Sequence, residues 1–162
     1  MNEQKVYDVL EELNINYSKY THPPVATIDE IKEYMKDIEV LHCKNLFLRN
    51  SKGDKHYLVV LDGLKSANLK KLAKQINSTR LSFASKERLN KYLRLEPGSV
   101  SPFGLINDEE KQVEVLIDQD IKNMDKVTFH PNINTASVIL DYSGFEKFLN
   151  QCGNKVSFIE IP

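Results

Sequence analysis

Chemistry in this chain has to come from a small set of side chains. The metal-ligating and nucleophilic types are four histidines, His22, His42, His56 and His130, and two cysteines, Cys43 and Cys152. No pair of them has HxxxH, HExxH or CxxC spacing, so the pattern builds no metal centre. Cys43 precedes Lys44, but adjacent strand residues point to opposite faces, so Lys44 is poorly placed to activate the thiol. Cys43 reads instead as a small buried apolar residue. GxSxG, GxxxxGK[ST] and GxGxxG are all absent. The carboxylates fall mostly on helix faces and turns, where solvated surface is the natural reading.

Three features remain. Lys44 shares a period-two strand face with Leu46 and Leu48, so it is either a snorkelling residue at the strand's first turn or a charge held in a pocket. The loop Glu96-Pro97-Gly98-Ser99-Val100-Ser101-Pro102 is stiffened by its prolines and loosened at Gly98. Such a loop can aim successive N–H groups at an anion or carbonyl, or it can simply connect a helix to a strand. His130 ends a strand just before a Pro-Asn turn, exposed enough to work or merely bonded to its own turn.

These residues must be positioned by the elements around them. Leu41–Asp62 reads as two strands joined by a Ser-Lys-Gly-Asp turn, with Tyr57–Leu61 apolar on both faces and therefore central. Upstream, Val6, Tyr7, Leu10 and Leu13 mark a helix that Asn14 and Asn16 end. Tyr17–His22 reads as a short strand. Thr27 to Glu30 forms a capping box for a helix carrying Ile28, Ile31, Tyr34 and Met35 on one face. Downstream, Ser66–Ile76 is helical, Arg80–Ala84 is a strand, and Ser85 caps a helix through Leu93. Four short apolar runs come next as strands: Phe103–Ile106, Val113–Asp118, Lys126–His130 and Ala136–Asp141. A last helix capped by Ser143 with Glu146, and a closing strand Val156–Ile161, complete the chain. Helices come mostly early and strands mostly late, without a strict βαβ beat. The expected class is α+β, a mixed, mostly antiparallel sheet with helices packed around it.

Composition sets the outer bounds. A chain of 162 residues, 41% hydrophobic and 28% charged, fits a single domain over residues 1–162. No apolar run reaches the length of a membrane span, and the charged amphipathic start is no signal peptide, so a cytoplasmic location is expected. The two cysteines form no disulfide framework. The formal net charge is −1, so no global field draws the chain to nucleic acid, and any RNA contact must be local. Candidates are some of Lys65–Lys74, most of which suit a plain solvated helix face, and Arg80, Lys86, Arg88, Lys91 and Arg94.

Four stretches taken together resemble a known family. They are KNLFLRN with HYLVVLD, SFASKERLNKYLRLEPGSVSPFGLIND, FHPNINTASVILDYSGFEKFL and HPPVATIDE. In their order along the chain they look like the bacterial prolyl-tRNA editing family, which comprises the insertion domain of bacterial prolyl-tRNA synthetase and its free-standing YbaK-like relatives. The resemblance covers nearly the whole chain and is closest to the free-standing Ala-tRNA(Pro) deacylases.

The resemblance implies an editing fold that hydrolyses the ester joining a mischarged small amino acid to the end of tRNA(Pro). It names Lys44 and His130 as catalytic. It names Asn45, Gly98, Ser99, Val100, Ser101, Pro102 and Phe129 as substrate-binding. Val25, Leu46, Phe129 and Val100 are candidate pocket walls. No metal or cofactor is implied, and the expected partners are the tRNA(Pro) acceptor end and prolyl-tRNA synthetase. An aminoacyl ester is already activated, so water can attack it without a covalent intermediate, in keeping with the missing triad. Three alternatives stay open at this point: a Cys-tRNA(Pro) deacylase, a non-catalytic relative that binds tRNA or an amino acid, and a protein-interaction module.

Overall fold

The computed structural model describes residues 2–24, 27–36 and 40–162. Val25, one of the expected pocket walls, and the side chain of Ile28 lie outside the described set. The helices are α1 (Asn2–Glu12), α2 (Ile28–Tyr34), α3 (Leu69–Gln75), α4 (Lys86–Leu93) and α5 (Tyr142–Cys152). The strands are β1 (Tyr17–Thr21), β2 (Leu41–Arg49), β3 (His56–Asp62), β4 (Ser82–Phe83), β5 (Val113–Asp118), β6 (Lys126–Phe129), β7 (Ala136–Asp141) and β8 (Val156–Ile159). They form one sheet in the order β1-β7-β6-β2-β3-β5-β8, with β4 paired to β2. Antiparallel pairings outnumber parallel ones, and the sheet is mixed as expected.

The register divides the sheet into two faces. One carries Cys43, Phe47, Leu58, Val60, Val127, Phe129, Val138 and Leu140, packed against α1, α4 and α5 in the larger core. The other is split. Leu48, Tyr57, Val59, Leu61 and Leu116 pack with Leu72 and Ala73 of α3, while Ile139 packs with Ile31 and Met35 of α2. Among the described residues, no helix packs on this second face between the α2 and α3 clusters. β3 is buried on both faces because it sits mid-sheet under both layers.

β2 and β6 pair only at Leu41–Val127 and His42–Thr128. Beyond that point β6 turns back into β7, β2 runs on, and β4 joins its flank only at Leu48 and Arg49. The sheet therefore forks beside Cys43–Phe47. The β2–β3 turn is built by Asn50, whose Oδ1 accepts from the N–H groups of Gly53, Asp54 and Lys55. Gly53 has φ 78°, and a Cβ there would lie 2.9 Å from guanidinium nitrogens of both Arg49 and Arg88.

Several boundaries differ from the sequence-based expectation. Phe103–Ile106 is not a strand but part of a 3₁₀ helix, Pro102–Asn107. Ser101 caps it by accepting from the Phe103 N–H, and Pro102 supplies a preset φ at its first position. α3 begins only after Asn68, whose side chain accepts from Lys71 N–H, so the expected first turn from Ser66 is absent. α5 begins at Tyr142 after Asp141, and the Ser143–Glu146 capping box does not form. The Thr27 and Ser85 caps form as expected.

His56 is buried beside β2, its ring 4.1 Å from that of Tyr92. Arg88 donates to its Nε2 at 3.1 Å, which requires a neutral ring. Burial first, then Arg88, Arg49 and Lys91, push its pKa down to about 4. The unfolded chain takes up this proton near pH 6.5, whereas the folded one does so only near 4. Its contribution to stability is complete above pH 6.5 and is lost as pH falls from 6.5 to about 4. Urea unfolding should show a midpoint falling over that window, and His56→Gln should flatten the slope between pH 6.5 and 5.

Candidate functional site

Lys44 lies on the sheet face left open between α2 and α3. The register establishes this: Lys44 pairs with Leu61 on the α3 side, and His42, two residues away, pairs with Thr128. Thr128 pairs with Ile139, which packs under α2. Lys44, His42, Thr128 and Ile139 therefore share one face. The Lys44 ammonium donates to the Lys65 carbonyl at 2.7 Å and has no carboxylate within ion-pair distance among the described residues. Lys65 is itself held by Asp118 at 3.0 Å and Asp120 at 2.6 Å, and it donates to the Ile161 carbonyl. The Lys65 charge is thus neutralised within the protein, while that of Lys44 is not.

A cavity of about 30 Å³ sits at the fork, lined by Ile31, His42, Cys43, Asn45, Thr128, Phe129, His130 and Ser137. Two buried polar atoms there, Asn45 Oδ1 and Thr128 Oγ1, have no hydrogen-bond partner among the described residues. Buried polar atoms are rarely left unpaired, and those that are mark places where water or a ligand completes the set. A wider, open concavity of about 830 Å³ also reaches His42, between Lys32, Lys36, Lys126 and Asp125. Among the described residues it holds no unpartnered buried side-chain atom. The small cavity is the better candidate for chemistry.

Two histidines flank it with fixed tautomers. His130 Nδ1 lies 2.9 Å from the Ala136 carbonyl, which can only accept, so Nδ1 carries the proton and Nε2 of the neutral ring is a lone pair. Burial lowers the His130 pKa most; the Ala136 bond opposes this and nearby His22 adds to it. His22 Nδ1 likewise donates to the Pro23 carbonyl, and Nε2 accepts from the Ser137 hydroxyl, both at 2.9 Å. The two rings lie 6.1 Å apart, and Tyr34 stacks on the outer side of His22. Cys43, in the cavity wall, has its pKa raised chiefly by burial, which keeps it an unreactive thiol.

The Glu96–Pro102 loop docks against the β6–β7 turn that carries His130. Gly98 has φ 91°, and a Cβ there would stand 3.9 Å from the Asn134 amide nitrogen. Asn132 ties the turn to the next segment by donating to the Phe103 carbonyl. Ser99 N–H donates to Glu96, but the amides of Val100 and Ser101 have no acceptor among the described residues. Ser101 is fully buried, with its hydroxyl engaged as a helix cap, and Val100 packs on the larger core.

The cavity thus gathers Asn45, Phe129 and His130. Lys44 stands on the same sheet face without lining the cavity, and the Gly98 loop reaches the region through the β6–β7 turn. The Phe129 ring packs between Phe103 and Phe145, so it supports the wall from the core side. Leu46 packs toward α3. Sequence reasoning does not single out His22, His42, Thr128 or Ser137 for this site. The His22–Ser137 bond joins residues 115 positions apart, and only HPPVATIDE hints at its first member. No group of three or more His, Cys, Asp or Glu side chains is placed to hold a metal ion among the described residues.

A crystal structure of a proposed trans-editing enzyme for prolyl tRNA synthetase has the same architecture. It superposes with a TM-score of 0.74 at 18% identity, covering 99% of this chain and 98% of that one. Residues 22–148 match the aminoacyl-tRNA editing domain family. The chain belongs to that family. It is 48% identical over 160 residues to the prolyl-tRNA editing protein ProX of Acetoanaerobium sticklandii, covering 98% of this chain and 96% of the relative. It is 30% identical over 154 residues to the prolyl-tRNA synthetase associated domain-containing protein 1 of Xenopus laevis, covering 93% and 92%.

The tautomers can be read directly. Nitrogen-detected NMR of the histidine rings should show His130 protonated at Nδ1 only at pH 7, with a titration midpoint below 6.5. A proton on Nε2 at pH 7 would contradict the assignment.

Proposed function

We propose that this protein is a free-standing editing hydrolase that deacylates mischarged Ala-tRNA(Pro). The observation that carries the reading is the small cavity at the strand fork, where the lone pair of a neutral His130 meets unpartnered polar atoms in a chain of the editing family. In this reading the small cavity admits the alanine methyl and rejects the larger proline ring sterically. The name of the Acetoanaerobium relative supports prolyl-tRNA as the carrier.

In this reading Lys44 fixes the tRNA end, its uncompensated charge set against phosphate or the developing oxyanion. His130 Nε2 can accept a hydrogen bond but not donate one, so it takes the proton of the attacking water instead of polarising the carbonyl. Water adds to the ester carbon. The free amides of Val100 and Ser101 suit the oxyanion that forms. Collapse breaks the bond to the ribose oxygen, which takes up a proton and leaves as the tRNA hydroxyl, releasing alanine. The whole chain, residues 1–162, acts as one editing domain. It works in the cytoplasm and has prolyl-tRNA synthetase as its second partner.

Deacylation of Ala-, Cys- and Pro-tRNA(Pro) by purified protein tests this. Alanyl ester should be cleared and prolyl ester spared. Lys44→Ala and Gly98→Val should each lower kcat/KM by roughly 10²–10³-fold, the usual scale for losing one preorganised electrostatic contact. Absence of turnover on all three esters would sink the proposal, and turnover of the cysteinyl ester alone would change the specificity.

A further inference from the structure

We infer that the cavity at the strand fork holds the α-ammonium group of the aminoacyl ester, an inference that rests on the function proposed above and names what its site recognises. The polar atoms on the cavity wall are lopsided in their chemistry. Asn45 Oδ1 can only accept, and it is buried with no partner among the described residues. Ser137 is 1% exposed, and its hydroxyl proton is committed. His22 Nδ1 donates to the Pro23 carbonyl, so Nε2 is a lone pair and takes the Ser137 proton at 2.9 Å. The Ser137 oxygen is left with lone pairs alone. His130 Nε2 is a lone pair for the same reason, its Nδ1 proton lying on the Ala136 carbonyl. Thr128 Oγ1, also buried and unpartnered among the described residues, can take a proton as well as give one.

Both sheet faces contribute. Asn45 falls on the face of Cys43 and Phe47, whereas Thr128 and Ser137 lie on the face of Ile139 and α2. They reach one cavity because the β2–β6 ladder stops at His42–Thr128 and the strands part there. A guest that completes this wall has to bring protons. A carboxylate, a phosphate or the ester carbonyl would set lone pairs against lone pairs. A methyl group would leave the oxygens unpaired, and a hydroxyl brings one proton only. A primary ammonium brings three, to meet the oxygens of Asn45, Thr128 and Ser137, while His130 Nε2 is kept for the attacking water. A buried charge is tolerated when its N–H groups are taken up in this way, and hydrogen bonds from an ionised donor are the stronger ones. Among the described residues no lysine or arginine lines the cavity to repel it, and Lys44 stands outside. The alanine methyl then falls against Ile31 and Phe129, the apolar part of the lining.

Two non-hydrolysable mimics of the charged RNA end test this at pH 7, below the ordinary α-amino pKa of about 8. Each is an acceptor-stem RNA hairpin ending in a 3′-amide. One carries L-alanine and the other L-lactate, which has a hydroxyl where alanine has its ammonium. Calorimetric titration should show the alanyl hairpin binding roughly tenfold or more tighter than the lactyl one. Ser137→Ala and Thr128→Val should each cut that preference several-fold. A loss of structure alone would weaken both hairpins alike and leave the preference intact. Equal affinity for the two hairpins, no binding of either, or an unchanged preference in either variant overturns the inference. Neither mimic can be cleaved, so the titration is decided whether or not the protein hydrolyses the ester. An alanyl preference without deacylation would refute the proposed function and leave the ammonium site standing.

Discussion

The structure turns on the parting of β2 from β6. A strand in the middle of a sheet normally has both flanks paired, because unpaired backbone and nearby polar groups are costly when buried. Here the ladder between β2 and β6 stops after His42–Thr128. That opening leaves the buried oxygens of Asn45 and Thr128 without partners among the described residues, and it brings the β6–β7 turn with His130 alongside β2. Each unmade bond costs about 1–3 kcal/mol, so the rest of the sheet has to hold the fork open. The continuous β2–β3 ladder, seven residue pairs from Cys43–Asp62 to Arg49–His56, is the rigid side.

The second support is electrostatic and lies behind Lys44. Asp118 is fully buried, and it accepts from the N–H groups of Asp62 and Asp120 and from Lys65. A buried carboxylate is tolerable only when its lone pairs are filled in this way. Through it the end of β5 is tied to the end of β3 and to Lys65, and the Lys65 carbonyl is aimed at the Lys44 ammonium. Of these two lysines, one is consumed in holding the fold and the other is left charged and oriented. Near-zero net charge and a local RNA contact are therefore compatible: the chain's charges balance as a whole, while a cation such as Lys44 stays uncompensated where it stands.

The range of each interaction decides how far it is legible in the sequence. Thr27, Ser85 and the helices they start depend on residues three or four positions apart, and they are readable. So is the β2–β3 hairpin, with its alternation and short turn. Phe103–Ile106 has an apolar pattern that fits a strand, while the Ser101 cap and Pro102 that turn it into 3₁₀ helix act over two residues. Lys44 stands out as a charge on an apolar face, but the uncovered gap between α2 and α3 that explains it is tertiary. The His22–Ser137 bond and the meeting of Asn45 with His130 depend on strand order, which no local pattern encodes.

His56 and His130 show why a depressed basicity alone does not locate a site. Burial is the leading cause in both. His56 spends its Nε2 lone pair on Arg88 and its ring faces on Phe47 and Tyr92, so it has nothing left to offer a substrate. His130 spends only Nδ1, on a carbonyl of its own hairpin, and its Nε2 has no protein partner among the described residues. The difference lies in the strand that carries each. β3 is paired on both sides, so His56 is enclosed; β6 ends at the fork, so His130 projects past the last ladder bond into the opening. An ester needs little more than a placed water, an acceptor for its proton and donors for the oxyanion, and a strand that stops early can supply the acceptor without a dedicated nucleophile.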